Sequence, residues 1–124
     1  MIRRFEVSVT TDASGDATAY SPYLSGYIHS IQYEKTDYAD GVDFTITGEA
    51  NGVTLWTESN VNAAALKLPR AATHSTAGVA ALYAAAGTAV NDRMALSRDR
   101  VKIVVAQGGN AKVGNFVITV DDGK

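Results

Sequence analysis

Hydrophobic and polar side chains alternate most clearly in residues 42–58, on both sides of an Asn51-Gly52 dipeptide. Asn-Gly between two alternating segments is typical of a two-residue type I′ hairpin turn. In this register the paired residues are Ala50 and Val53, Gly48 and Leu55, and Ile46 and Thr57. The pattern therefore predicts an antiparallel hairpin with one buried and one polar face.

Trp56 is the most informative aromatic residue of this hairpin. The predicted register places it on the polar face, opposite Thr47. A large aromatic side chain at such a position is either covered by another segment of the chain or exposed for a partner. The sequence leaves both alternatives open, with residues 70–92 as the candidate cover.

Further alternating or apolar segments predict strands on both sides of the hairpin. They are residues 2–10, 17–20, 23–34, 65–68, 93–96, 100–106 and 112–120. Ser21-Pro22 predicts a sheet edge or a corner where the chain changes sheets, because proline cannot donate to a β ladder. A change of parity within 23–34 predicts a bulge near Ser25-Gly26 or His29-Ser30. Regularly spaced strands predict one all-β domain over residues 1–124, an antiparallel β-sandwich of jelly-roll or Greek-key type.

The alternating pattern disappears in residues 70–92, which are mostly Ala, Gly, Thr and Val with few charges. Residues 82–86 have good helix propensity, with Ser75 or Thr76 as a possible cap and Gly87 as a terminator. An amphipathic period is missing, so a helix and an irregular conformation are both open. A long excursion of this kind in a compact domain is usually functional or disordered.

Composition narrows the function classes. The 124 residues contain no cysteine and carry a net charge of -2, so disulfides and thiolate metal sites are excluded. We expect no nucleic-acid binding, because a basic surface is missing. We also expect no membrane span and no signal peptide: residues 77–90 are too short and too weakly apolar, and the N-terminal residues enter a strand pattern at once.

Metal and catalytic motifs are weak. Asp37, Asp40 and Asp43 surround Gly41 without the spacing of an EF-hand loop, so an acidic turn is the expected interpretation.

The only imidazoles belong to His29 and His74. A nucleophile–histidine–acid set could be drawn with Ser75 or Ser97, but no catalytic sequence frame surrounds either serine. We therefore expect a protein that is not an enzyme and that has no metal and no cofactor.

Three segments resemble a known family. Residues 69–78 read P-R-A-A-T-H-S-T-A-G, residues 104–112 read V-V-A-Q-G-G-N-A-K, and residues 11–17 read T-D-A-S-G-D-A. They are similar to small tailed-phage and prophage proteins with a P-R-x-x-x-H-x-T-A-G segment and a strand ending in V-A-x-G-G-x-A-K. Some members of that family look like head decoration, or cement, proteins.

The resemblance implies a virion component made in the host cytoplasm and bound to the major capsid protein on the outside of an icosahedral shell. It implies a homotrimer at local threefold positions, without catalytic residues. The sequence prediction places the shell contacts on the excursion, at Arg70, His74, Leu82 and Tyr83. Secondary candidates are Trp56, Arg3 and Arg4.

Two other functions remain open from the sequence. A carbohydrate- or receptor-binding module of a tail or spike would use exposed aromatic residues near acidic turns, namely Tyr20, Tyr23, Tyr38 and Trp56. A head-completion or tail-tube subunit would be present in only a few copies per particle.

Overall fold

The computed structural model describes residues 1–123, which form eleven strands and no helix. The strands are β1 (Ile2–Thr10), β2 (Ala17–Tyr20), β3 (Leu24–Glu34), β4 (Val42–Gly48), β5 (Thr54–Val61), β6 (Ala65–Lys67), β7 (Arg70–Ala72), β8 (Asn91–Arg93), β9 (Ala95–Asp99), β10 (Val101–Ala106) and β11 (Val113–Asp121). The helix considered for residues 82–86 does not form.

Two antiparallel sheets enclose the core. One has the order β1-β11-β3-β6, with β9 also paired to β3, and the other has the order β2-β10-β4-β5. Early and late strands therefore lie side by side in both sheets, which is the arrangement of a jelly roll. The prediction of an all-β antiparallel sandwich is confirmed.

One edge of the first sheet is built from two separate strands. β6 pairs with the C-terminal half of β3, from Ile31 to Tyr33, and β9 pairs with its N-terminal half, from Leu24 to Tyr27. Between them the Ile28 amide donates to the Met94 carbonyl at 2.8 Å. β6 and β9 are thus two parts of one edge strand, interrupted by the excursion. We call residues 70–93 the arm.

Aromatic contacts join the two sheets in the core. The Phe44 ring of β4 lies edge-on to Trp56 of β5, with centroids 4.9 Å apart, and edge-on to Phe116 of β11, at 5.3 Å. Edge-to-face pairs contribute about 0.5–1.5 kcal/mol beyond the area that they bury. Phe44 therefore links its own sheet to the opposite one.

The predicted register of the β4–β5 hairpin is wrong. Thr47 pairs with Thr54 and Ile46 with Trp56, with a register shift between these two pairs. The Gly48 amide donates to the Val53 carbonyl at 3.0 Å, so the loop comprises residues 49–52 instead of Asn51-Gly52 alone. The shift turns Trp56 into the core, where it is 4% exposed and not covered by the arm.

A buried carboxylate explains the longer loop. Asp99, at the end of β9, accepts hydrogen bonds from the amides of Ala50 at 2.9 Å, Asn51 at 3.4 Å and Arg100 at 2.8 Å. Burial raises the pKa of Asp99, but these amide bonds and the charge of Arg100 lower it by more, so the net pKa lies below its ordinary value. A residue far away in the sequence thus determines the turn.

The other local predictions for β2 and β3 are confirmed. The chain changes sheets at Ser21-Pro22, and the Ser21 hydroxyl accepts a hydrogen bond from the Val101 amide at 2.8 Å. β3 has register shifts at Gly26 and opposite Thr119/Val120, the two places at which the parity of its side chains changes.

Two stacked tyrosines at one end of the core differ in their hydrogen bonds. The Tyr38 hydroxyl donates to the Val9 carbonyl at 2.6 Å and accepts from the Gly114 amide. A Cβ on Gly114 would overlap the Tyr38 ring, so only glycine fits there. The Tyr33 hydroxyl is buried without a hydrogen-bond partner in residues 1–123. Burial raises the pKa of both phenols.

Tyr33→Phe and Tyr38→Phe form a matched pair with opposite expected results. Tyr33→Phe removes a buried, unsatisfied hydroxyl, and we expect an unfolding free energy that is unchanged or higher by up to about 1 kcal/mol. Tyr38→Phe deprives buried backbone groups of a partner, and we expect a loss of about 1–3 kcal/mol. Urea unfolding measures both values. Equal losses of unfolding free energy in the two variants would contradict the different hydrogen bonding of the two hydroxyls.

Protonation of Asp99 is expected to lower the free energy of unfolding at acidic pH. Because its folded pKa lies below its unfolded value, its contribution is complete above pH about 4 and is lost as the pH falls through the folded pKa. We expect Asp99→Asn to be less stable than the wild type at pH 7 and to lose less stability between pH 4 and pH 2. Urea midpoints at several pH values test this, and parallel curves for the two proteins would refute it.

Candidate functional site

The arm begins as a two-stranded stem and divides into two lobes. β7 and β8 pair antiparallel, and the Thr73 amide continues the stem by donating to the Val90 carbonyl at 2.8 Å. Ala81 lies between these two residues: its amide donates to the Thr73 carbonyl at 2.8 Å and its carbonyl accepts from Val90 at 2.9 Å. Residues 73–81 therefore close one lobe and residues 81–90 the other.

Each lobe ends in a tight turn. In the first, the Ser75 amide donates to the Val79 carbonyl at 2.8 Å, and Gly78 has a positive φ of 78°. In the second, the Gly87 amide donates to the Ala84 carbonyl at 2.8 Å, and Ala86 has a φ of 59°. The segment has helix propensity but no apolar stripe to pack against the sandwich, and a short helix without such packing is marginal.

The lobes of the arm, residues 73–90, carry no charged side chain and are mostly exposed. No Asp, Glu, Lys or Arg occurs between Arg70 and Asp92. Its larger apolar side chains reach solvent, with exposed fractions of 65% for Val79, 45% for Leu82 and 80% for Tyr83. None of them belongs to the core cluster. Contiguous exposed apolar residues mark interaction sites, and protein interfaces are enriched in tyrosine and depleted of charge.

Two arginines attach the root of the arm to the sandwich. Arg70 and Arg93 are direct cross-strand partners in the stem, where like charges repel. Each has its own partner: Arg70 donates to the His29 carbonyl at 3.2 Å, and Arg93 donates to Asp121 at 3.0 Å. Hydrogen bonds from Gly123 and Arg93 lower the pKa of Asp121. The root is therefore held from two sides.

The structure brings together part of the predicted contact set. His74 is exposed in the first lobe, and Leu82 and Tyr83 are exposed in the second. Arg70 lies in the stem as a half-buried anchor. Trp56 is in the core and so is not presented to a partner on the surface.

Arg3 and Arg4 do not belong to the arm. Both are on β1, which forms the opposite edge of the sheet from β6 and β9. Arg3 pairs with Asp122 at 3.7 Å, and Arg4 pairs with Glu6 at 2.8 Å. Neither arginine contacts a lobe of the arm, although Asp122, the partner of Arg3, follows Asp121, the partner of Arg93.

A second surface cluster was missed as a unit by sequence reasoning. The Arg100 guanidinium lies over the Tyr20 ring at 4.0 Å and the Tyr23 ring at 5.2 Å, and it pairs with Glu49. The sequence predicted a carbohydrate site from four aromatic residues. Tyr20 and Tyr23 are exposed in this cluster, whereas Tyr38 and Trp56 are buried. The pairing of β2 with β10 brings the cluster together, and the local sequence around each residue gives no indication of that pairing.

The acidic turn has structural partners. Asp37 accepts the Val113 amide at 2.5 Å, and Asp40 pairs with Lys35 at 2.7 Å. Across residues 1–123, no three His, Cys, Asp or Glu side chains are grouped as a metal site. In the same part of the chain, no helix is long and apolar enough to cross a membrane.

Excision of the lobes is expected to leave a folded sandwich. We join Thr73 to Val90 by an added Asn-Gly dipeptide in place of residues 74–89, which retains the Thr73–Val90 hydrogen bond. No buried core residue is lost, so we expect an unfolding free energy within about 1 kcal/mol of the wild type, since loop length alters stability only slowly. Urea unfolding and circular dichroism measure the result.

The control for this variant lies in the root. Arg93→Ala removes the ion pair with Asp121 and the cation–π contact with Tyr27, and it is expected to destabilise the protein more than the excision does. A molten or aggregated excision variant would show that the lobes contribute to the fold, contrary to their exposure.

Comparisons with known proteins do not identify a family for this chain. No family model, no curated protein and no solved structure matches the chain. The resemblance to tailed-phage structural proteins therefore stays a prediction.

Proposed function

We propose that the protein is a non-enzymatic structural protein of a phage virion, a head decoration protein that binds the major capsid protein on the outer surface of the shell. The arm is the observation that carries the proposal. It exposes Leu82 and Tyr83 on an uncharged segment that is anchored to the sandwich by arginines at its root. The resemblance of residues 69–78 to tailed-phage proteins supports the same function.

The arm is suited to lie flat on a protein surface. Its alanines and glycines allow the backbone to approach a partner closely, and its lack of charge avoids the desolvation cost of an unpaired ion. The hydrogen bonds across both lobes order the backbone before any partner binds. Such preorganisation lowers the entropy cost of association.

A shell also relaxes the affinity that each copy needs. If several arms of one oligomer engage neighbouring capsid subunits, the second and third contacts form at high effective concentration. The proposal therefore includes self-association as a trimer at local threefold positions, as the resemblance implies. Light scattering of the free protein measures that oligomeric state.

Copy number in purified virions tests the proposal directly. Quantitative mass spectrometry of the source phage, scaled to the major capsid protein, is expected to give one copy per capsid subunit or one per few subunits. A handful of copies per particle would move the protein to the neck or tail and favour a head-completion or tail-tube subunit. Absence from virions would overturn the proposal.

The apolar tip of the second lobe is expected to be the centre of the shell contact. Tyr83→Ala and Leu82→Ala should each weaken binding to shells that lack this protein by about tenfold or more, because large apolar anchors dominate interfaces. Cosedimentation with purified shells measures the affinity. Neither substitution should change the free energy of unfolding, since both side chains are exposed.

Tyr23→Ala is the matched control for this experiment. Tyr23 is also a strongly exposed tyrosine, at 66%, but it lies outside the arm. The Tyr23→Ala variant should bind shells with the same affinity as the wild type. If Tyr83→Ala, Leu82→Ala and the excision variant all bound shells with wild-type affinity, the arm would be ruled out as the contact.

A further inference from the structure

Tyr23 stands between two adjacent surface clefts where the chain passes from β2 to β3. The first cleft, of about 250 Å³, has the apolar side chains of Phe5 and Val120 and the charged side chains of Arg3 and Asp122 in its wall. The second cleft is lined by Tyr23, Ser25 and Arg98. Tyr23 is 66% exposed, so its ring is accessible to a ligand.

The arginines around Tyr23 differ in their partners. Arg100 is paired with Glu49, which raises its pKa, and it stacks over the Tyr20 and Tyr23 rings. Arg98 is exposed, and within residues 1–123 its guanidinium has no ion pair or hydrogen bond. The chain as a whole has a net charge of -2, so an unpaired arginine beside an open aromatic ring is a local positive feature.

The backbone holds Arg98 beside this ring. Arg98 has a positive φ of 46°, a conformation that is unfavourable for a long side chain, and its amide donates to the Ser25 hydroxyl oxygen at 3.0 Å. Because Ser25 accepts this bond, its own hydroxyl proton remains available to a ligand. A cation, a hydroxyl donor and an aromatic face thus adjoin one another.

We propose that this corner binds a carboxylated sugar, of the uronic or sialic acid class. The Arg98 guanidinium takes the carboxylate in a two-bond contact, and the Tyr23 ring packs against the apolar face of the sugar. Ser25 donates to a sugar oxygen, and Asp122 accepts from a sugar hydroxyl. The site contains no residue of the arm, so it is a function beyond shell binding.

The charge pattern favours a sugar over a nucleic acid. A phosphate backbone needs several cations in a row, but Arg100 is neutralised by Glu49 and Arg3 is paired with Asp122. A sugar ring offers one carboxylate and several hydroxyls, which need one free cation together with acceptors. Asp122 and the Tyr23 hydroxyl supply those acceptors, and the Ser25 hydroxyl supplies a donor.

Titrations followed by ¹⁵N–¹H NMR test the proposal on the whole chain. We expect sodium glucuronate or N-acetylneuraminate to produce saturable shifts at Tyr23, Ser25 and Arg98. Galactose, sodium acetate and an eight-residue oligothymidylate should produce much weaker shifts at the same amides. No saturable shift with either acidic sugar, or equal shifts with any of the three other probes, would overturn the assignment.

Three variants separate this site from the arm. Tyr23→Ala and Arg98→Asn should each weaken sugar binding by about tenfold or more, as expected for loss of a ring contact or a charge-assisted hydrogen bond. Asparagine tolerates the positive φ at position 98, so the backbone is preserved. Tyr83→Ala should bind the sugar like the wild type while losing shell affinity. Unchanged sugar binding by Arg98→Asn, or its loss in Tyr83→Ala, would refute the proposed site.

Discussion

The pairing of β3 along its second edge is the constraint on which the rest of the structure depends. β3 is eleven residues long, and an unpaired edge of that length exposes a row of backbone groups to other chains. β6 covers one half and β9 the other, and the Ile28–Met94 hydrogen bond lies between them. Both ends of the arm are therefore fixed close together at the edge of this sheet. The arm thus starts and ends at a sheet edge, and its larger apolar side chains are exposed there.

Side chains from distant parts of the sequence hold the loops of the sandwich. Asp99 binds the amides of the β4–β5 loop, and Tyr38 bridges β1 and β11. Thr11 does the same for the β10–β11 loop, donating to the Gly109 carbonyl at 2.5 Å and accepting from the Lys112 amide at 2.9 Å. Buried backbone groups need partners, and here side chains supply them where no strand is adjacent. The loop conformations are thus properties of the whole fold.

This dependence explains which features the sequence alone could predict. Alternation is a local property, and it located most strands of the sandwich and the bulges of β3, whereas β7 was not predicted. The proline located the sheet-switching corner at Ser21-Pro22. The loss of alternation likewise located residues 70–92 as an excursion. Register is set by contacts across the sheet. The hydrogen bonds of Asp99 to the β4–β5 loop favour a longer loop than the two-residue turn that Asn51-Gly52 predicts, so the sequence prediction placed Trp56 on the wrong face. The two-lobed arm and the contact of Arg100 with Tyr20 were not predictable, because each depends on pairings between segments without a sequence period.

The two proposed surfaces differ in the forces that they use and share no residue. The lobes of the arm offer apolar groups without charge, so their contact draws on area burial and changes little with salt. The corner at Tyr23 offers a solvent-exposed guanidinium, so ionic strength weakens its attraction for a carboxylate. Arg70 and Arg93 position the first surface, whereas Arg100 and Glu49 position the second. No residue belongs to both sets, so substitutions can probe each surface separately.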